Sequence, residues 1–167
     1  MPCSYLMTET LHITYLGLGS NLGDKVENIN VAVKKIEELI GRVVRQSALH
    51  LSAPWGFDSD NSFVNAVVAC QTSLSPRQLL KATQTIEREM GRTEKSLNGV
   101  YHDRIIDIDI LLYDDLIVQT RRLTIPHPLM HRRRFVLEPL AEIAYDMKIP
   151  GTEMSVGEML KDLAANE

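Results

Sequence analysis

Cysteine, positive charge and long apolar runs are all scarce in this chain. The two cysteines, Cys3 near the terminus and Cys70 inside an apolar run, give neither a metal-ligand spacing nor a disulfide framework, so a reducing compartment is expected. No apolar run approaches the roughly 18 residues of a membrane span, and the first residues lack the basic-then-apolar pattern of a secretory signal. A cytoplasmic protein without membrane association follows as the expectation. Lys and Arg number 18 against 22 Asp and Glu, for a net charge of -4 and a pI of about 5.7. No global field then favours nucleic acid, and any anion site must be local. Two nucleotide signatures are also missing. Gly17-Leu18-Gly19-Ser20-Asn21-Leu22-Gly23 places its third glycine one residue late for a dinucleotide fingerprint, and no Walker A sequence occurs. A tight turn accounts for most of that glycine segment.

What remains is enough for one core: 167 residues, 44% of them hydrophobic. Residues 1–10 show no periodicity and read as a loose extension, leaving 11–167 as a single domain. Ile13 to Gly19 reads as a first strand. Helical spacing of Val26, Ile29, Val33, Ile36 and Leu39 predicts a helix from Asp24 to Ile40, with Gly41 as its left-handed terminator. Val43 to Leu51 and Phe63 to Thr72 read as strands two and three. Ser75-Pro76-Arg77-Gln78 supplies a capping box with proline in the first turn, predicting a second helix that stops at Gly91. Ile105 to Tyr113 completes the series as strand four. Strand, helix, strand, strand, helix, strand is the order of a ferredoxin-like βαββαβ core, α+β in class, with an antiparallel sheet and both helices on one face. An apolar segment around Leu137 to Ile143 and a capping box at Ser155 and Glu158 are additions to that core.

Asp107 and Asp109 carry the strongest chemical signal. They alternate with isoleucines along strand four, so both carboxylates share one face, about 7 Å apart. Two carboxylates so placed suit a pair of Mg²⁺ ions in phosphoryl transfer, although a half-solvated strand explains them equally well on this motif alone. Arg92, Arg104, Arg121, Arg122 and Arg132 to Arg134 gather cations around the pair, and guanidinium forks suit phosphate oxygens. At least one of Arg132 to Arg134 is expected to be merely solvated. His127 lies between Pro126 and Pro128 and suits either a phosphate contact or a rigid turn. Trp55 and Phe63 flank a long loop, and Asn65 shares a strand face with Phe63. Rings and an amide of this kind grip a flat heterocycle by its faces and its edge.

Taken together, Gly17 to Asp24, Pro54-Trp55-Gly56, Phe63-Val64-Asn65-Ala66, Arg104 to Leu112 and Ile125-Pro126-His127-Pro128 resemble the hydroxymethyldihydropterin pyrophosphokinase family. The resemblance runs from about Ile13 to Pro150 and implies transfer of pyrophosphate from ATP to 6-hydroxymethyl-7,8-dihydropterin, releasing AMP, in folate biosynthesis. It makes Asp107 and Asp109 the ligands of two Mg²⁺ ions and Arg92 and Arg104 the cations that matter most for rate. Phe63 and Phe135 would stack on the pterin, Asn65 would meet its polar edge, and Ser52, Pro54 and Trp55 would line the same pocket. ATP would be met by Gln84, Glu87, Arg92, Tyr101 and Arg104, and further along by Ile110, Arg122, Thr124, His127 and Arg133. The stretch from Arg92 to Arg104 departs from the family: it is slightly longer, Glu94 stands where a basic residue is common, and Tyr101 replaces a tryptophan. A monomer is expected. Three other readings remain beside this one: a ferredoxin-like regulatory module, a metal-dependent phosphohydrolase, and an RNA-recognition sheet. The last needs exposed aromatics on its central strands and a basic face.

Overall fold

The computed structural model describes residues 10–53, 62–91 and 105–166. β1 (His12–Ser20) is the centre of the sheet: it pairs antiparallel with β4 (Phe63–Thr72) on one side and β5 (Asp107–Tyr113) on the other. β2 (Gly41–Gln46) and the three-residue β3 (His50–Ser52) both pair with β4 along its outer edge. The order β2-β4-β1-β5, with every pair antiparallel, is the ferredoxin-like order expected from the sequence. The predicted second strand is therefore one strand broken in two. At the break Ser47 uses both its main chain and its side chain: its N–H donates to the Val67 carbonyl at 2.9 Å, and its Oγ accepts from the Val67 N–H at 2.9 Å.

The helices form where the caps put them. α1 (Lys25–Leu39) starts under the Asp24 carboxylate, which accepts from the Glu27 N–H at 3.1 Å. Its buried stripe is Ile29, Ala32 and Ile36, whereas Val26 and Leu39 at its two ends are exposed. α2 (Pro76–Glu89) carries the full Ser75/Gln78 capping box and ends just before Gly91, whose φ of 101° is the left-handed stop. Gly41 is different from the expectation. It is a strand residue without positive φ, and a Cβ there would sit 2.0 Å from the Gln71 carbonyl oxygen. Glycine is needed at 41 for close backbone approach to β4.

The two core helices share one face of the sheet, as expected, and the C-terminal additions cover the other. On one face α1 and α2 bury Leu16, Leu18, Val64, Ala66, Val68, Ile106, Ile108 and Ile110 against Ile29, Ile36, Leu79 and Ile86. Cys70 belongs to this core, and burial pushes its thiol up to about 12. On the opposite face α3 (Arg134–Ala144) and α4 (Val156–Ala165) close Val67, Ala69, Leu111 and Leu112 under Val136, Leu137, Leu140 and Met159. α4 has the expected Ser155/Glu158 capping box. α3 holds Pro139 in its interior, which removes one main-chain donor and hides the helix from a reading by propensity.

β5 changes phase along its length. Ile106, Ile108 and Ile110 face α1 and α2, but Leu111 and Leu112 both belong to the other core. The cause is a register shift against β1, where Leu16 pairs with Ile110 and Tyr15 with Leu112. Leu111 is the extra residue of this bulge. Its carbonyl accepts from the His127 N–H at 3.0 Å, just after the short hairpin of β6 (Val118–Gln119) and β7 (Thr124–Ile125) and the cis Ile125-Pro126 bond.

Candidate active site

The α3/α4 face is only partly covered. Towards one end of the sheet the side chains on that face are glycine, amide and carboxylate. Asp107 stands across from Gly19 on β1, and Gly19 stands across from Asn65 on β4. Asp109, Gly17 and Val67 form the next such row. The half-exposed carboxylates thus rise beside a floor without side chains. A Cβ on Gly19 would lie 3.2 Å from Asn65 Oδ1 and 3.4 Å from the Phe63 ring. The bare α-carbon leaves that space to the amide and the ring. The result is a cavity lined by Gly17, Gly19, Ser52, Phe63 and Asn65 on the sheet, Asp107 and Asp109 on β5, and Arg133, Phe135 and Val136 from the α3 end.

The walls are held by identifiable bonds. Asn65 Nδ2 donates to Ser52 Oγ at 2.7 Å and, more weakly, to the His50 carbonyl at 3.4 Å. Both amide hydrogens are thereby directed at β3, which turns Oδ1 towards the Gly19 floor. Arg133 is the α3 N-cap residue and is buried. Its guanidinium stands 3.7 Å from Asp109 Oδ2 and 5.5 Å from the centroid of the Phe135 ring. A cation beside the carboxylates is thus fixed by a charge and by a π face at once. Arg132 and Arg134 are exposed, and Arg134 pairs with Glu138 one turn on, at 3.3 Å.

His127 is half-buried, and burial pushes its pKa down to about 4; the Arg133 charge lowers it further and Asp107 opposes both. The imidazole is neutral at physiological pH. The Leu129 N–H donates to Nδ1 at 3.2 Å, so Nδ1 carries no proton and Nε2 is the remaining donor. Glu87 is buried on α2, where its Oε2 accepts from the Ile108 N–H at 2.9 Å. That bond faces the outer edge of β5, and by the two-residue period the main chain of Ile110 faces the same way. The Ile110 side chain is in the core.

Of the residues singled out from sequence, Ser52, Phe63, Asn65, Asp107, Asp109, Arg133 and Phe135 meet around one cavity. Gln84, Glu87, Ile110, Arg122, Thr124 and His127 are not among its lining residues. Pro54, Trp55, Arg92, Tyr101 and Arg104 lie outside the described residues. Sequence reasoning placed Gly17 and Gly19 on the first strand, as found, but missed their place in the cavity floor. Their signal was present: two glycines at a spacing of two on one strand, matching two aspartates at the same spacing on its neighbour. No group of three or more His, Cys, Asp or Glu side chains suited to a metal occurs among the described residues. Two carboxylates alone still fit Mg²⁺, which takes one or two carboxylates and completes its octahedron with water and substrate phosphate oxygens.

Comparison with known proteins places the chain by sequence and by fold. The family model described as 7,8-dihydro-6-hydroxymethylpterin-pyrophosphokinase matches residues 15–145. The chain is 49% identical over 133 residues to a 2-amino-4-hydroxy-6-hydroxymethyldihydropteridine pyrophosphokinase of Porphyromonas gingivalis, covering 79% of this chain and 90% of that protein. It is 40% identical over 169 residues to the folic acid synthesis protein fol1 of Schizosaccharomyces pombe, covering 96% of this chain and 23% of that one. In three dimensions it is similar to the HPPK-DHPS of Plasmodium falciparum solved with pteroate, with a TM-score of 0.79 at 14% identity. That match covers 95% of this chain and 45% of the longer one.

Proposed function

Because the chain belongs to the 7,8-dihydro-6-hydroxymethylpterin-pyrophosphokinase family, it transfers pyrophosphate to hydroxymethyldihydropterin in folate biosynthesis, with ATP as co-substrate, and we propose how its residues divide that work. Asp107 and Asp109 hold two Mg²⁺ ions, Phe63, Asn65 and Phe135 hold the pterin, and Arg133 and His127 meet the phosphates. The observation that carries this assignment is the paired register: each aspartate faces a glycine across β1, and beyond one of those glycines stands Asn65. A flat ring set in that cavity would meet the amide at its edge and the phenyl rings at its faces, with its substituent towards the carboxylates.

In the proposed reaction the pterin hydroxymethyl oxygen attacks the β-phosphorus of ATP. The bond from that phosphorus to the AMP oxygen breaks, and the hydroxyl proton leaves to solvent. Mg²⁺ held by Asp107 and Asp109 would supply Lewis acidity at the phosphate oxygens. The protein's own part is placement and charge. Asn65 accepts from the heterocycle through Oδ1, Phe63 and Phe135 exclude water from its faces, and Arg133 offsets negative charge that grows on the transferred group. His127, neutral and protonated at Nε2, donates a hydrogen bond without adding charge. Ser52, Pro54 and Trp55 line the pterin side. Arg92, Tyr101, Arg104, Gln84, Arg122 and Thr124, with the outward-facing main chain of Ile110 and the Glu87 carboxylate, serve the nucleotide, Arg92 and Arg104 having the largest effect on rate. Residues 11–167 act as one catalytic domain, with 1–10 as an extension. No helix among the described residues is long and apolar enough to cross a membrane, and we place a monomeric enzyme in the cytoplasm.

The deciding experiment incubates the purified protein with ATP, Mg²⁺ and 6-hydroxymethyl-7,8-dihydropterin and separates the nucleotides by chromatography. AMP formed only when pterin is present is the expected result, with loss of turnover when Mg²⁺ is chelated. ADP in place of AMP would overturn pyrophosphoryl transfer, and turnover in chelator would overturn the metal assignment.

A further inference from the structure

One charged cluster lies outside the site described above. His50, the first residue of β3, directs Nε2 at the Glu142 carboxylate and has Nδ1 3.7 Å from Glu138 Oε2. Glu142 Oε1 also accepts from the Ala48 N–H at 2.8 Å. Burial pushes the Glu142 carboxyl up, but the Ala48 amide and the His50 ring outweigh it and hold it below the usual range. Beside it Arg45 of β2 donates to the Ile143 carbonyl at 2.8 Å. Glu138 and Glu142 are one helical turn apart, so α3 presents a single acidic edge to the broken strand formed by β2 and β3.

The two elements joined here are the two walls of the cavity. β3 carries Ser52 Oγ and the His50 carbonyl, the acceptors that orient the Asn65 amide. α3 carries Phe135 in its first turn. Packing of α3 on Val67 and Ala69 of β4 sets the coarse distance between ring and amide, and the seating of β3 on α3 adjusts the amide against the ring. β3 itself is only three residues long and pairs with β4 alone, so its own seating depends on this contact with α3. We propose that Glu142, together with His50, is a positioning residue that fixes the gap between Phe135 and Asn65 and so tunes recognition of the organic acceptor without touching it. The inference rests on the assignment of Phe135 and Asn65 to the pterin.

The test is steady-state kinetics with each substrate varied in turn. Glu142→Ala is expected to raise KM for the pterin about tenfold, with KM for ATP changed by less than about twofold, as for a small displacement of a positioning wall. Glu142→Gln keeps an oxygen for the Ala48 amide and should recover most of the loss. His50→Ala should raise the pterin KM less, and adding it to Glu142→Ala should cost little more, because the two act through one contact. A purely structural role would move both KM values and the melting temperature together, and that outcome overturns the proposal, as does an unchanged pterin KM. Should Glu142→Ala fail to fold, the half-exposed His50→Ala gives the reading: a pterin KM raised without a change in the KM for ATP supports the proposal, and an unchanged pterin KM overturns it. Phe135→Ala separates the two levels. If it leaves the pterin KM unchanged, the pocket assignment falls and this inference with it. If Phe135→Ala raises that KM while Glu142→Ala does not, the inference alone falls.

Discussion

The two faces of the sheet are built to different rules. Under α1 and α2 the inward positions of β1, β4 and β5 are almost wholly apolar and sealed, with Leu16, Ile29, Ile36, Val68, Ile86 and Ile106 at 0% exposure. Under α3 and α4 the same three strands change character part-way. Tyr15, Val67, Ala69, Leu111 and Leu112 are covered, and beyond them come Gly17, Gly19, Asn65, Asp107 and Asp109 around an open cavity. One face is sealed along its length, and the other combines a second core with the cavity that carries the proposed chemistry. That separation lets a pair of like charges persist on β5, because the opposite face supplies the cohesion that the carboxylates forgo.

Substitutions on the two faces should separate rate from stability. The largest effect is expected from Asp107→Asn with Asp109→Asn, which should cut kcat/KM by at least about 10³-fold through loss of the proposed metal ligands. Relief of the like-charge pair is offset by the loss of Asp109 beside the buried Arg133, so the urea midpoint should change far less than the rate; a midpoint falling in step with rate would show that the faces are not separate. Next, Ile36→Ala on the sealed face should lower unfolding free energy by about 3 kcal/mol, by lost transfer energy and a residual cavity. Both KM values should stay put, measured below the transition.

His127 stands at the seam of the two halves, against the bulge carbonyl, and its effect is one of pH. The folded pKa of about 4 lies below the ordinary value of 6.5, so the unfolded chain takes up the proton first on acidification. Its contribution to stability is full above pH 6.5 and is lost as pH falls towards 4. For a half-buried group this amounts to about 2 kcal/mol after allowance for solvent screening. Denaturant midpoints measured from pH 7 to 4 should fall less in His127→Gln than in the unaltered protein, and an identical slope would remove His127 from the account. The smallest effect is expected at the floor. Gly19→Ala places a methyl 3.2 Å from Asn65 Oδ1, and should raise the pterin KM by about fivefold with little change in the KM for ATP, a loss of roughly 1 kcal/mol.

Much of this was legible in the sequence because the relevant signals are local. Ser75 with Gln78 and Ser155 with Glu158 announce their helices within four residues, and the alternation through Asp107 and Asp109 puts both carboxylates on one face from the strand period alone. The elements that were misjudged depend on distant partners. Gly41 looks like a helix terminator until β4 is placed beside it, where the Gln71 carbonyl leaves no room for a side chain. α3 is masked by Pro139 and has no capping side chain at its start, so its place on the second face comes from packing against Val67, Leu111 and α4. The pairing of His50 with Glu142 spans 92 residues and leaves no local trace. Glycines 17 and 19 were visible but ambiguous, since the same residues serve a turn or a floor until the register with β5 is known.

The bulge at Leu111 bears on anyone who would transplant this site. Carrying the residues from Asp107 to Tyr113 into a regular strand of another scaffold would preserve the acidic pair but rotate everything after it by half a pleat. Leu112 would then point at the wrong layer, and the carbonyl that holds the His127 segment would be taken up by a neighbouring strand. The graft must therefore include the irregularity: the smallest portable unit is the strand with its extra residue and the loop that reads that residue's carbonyl.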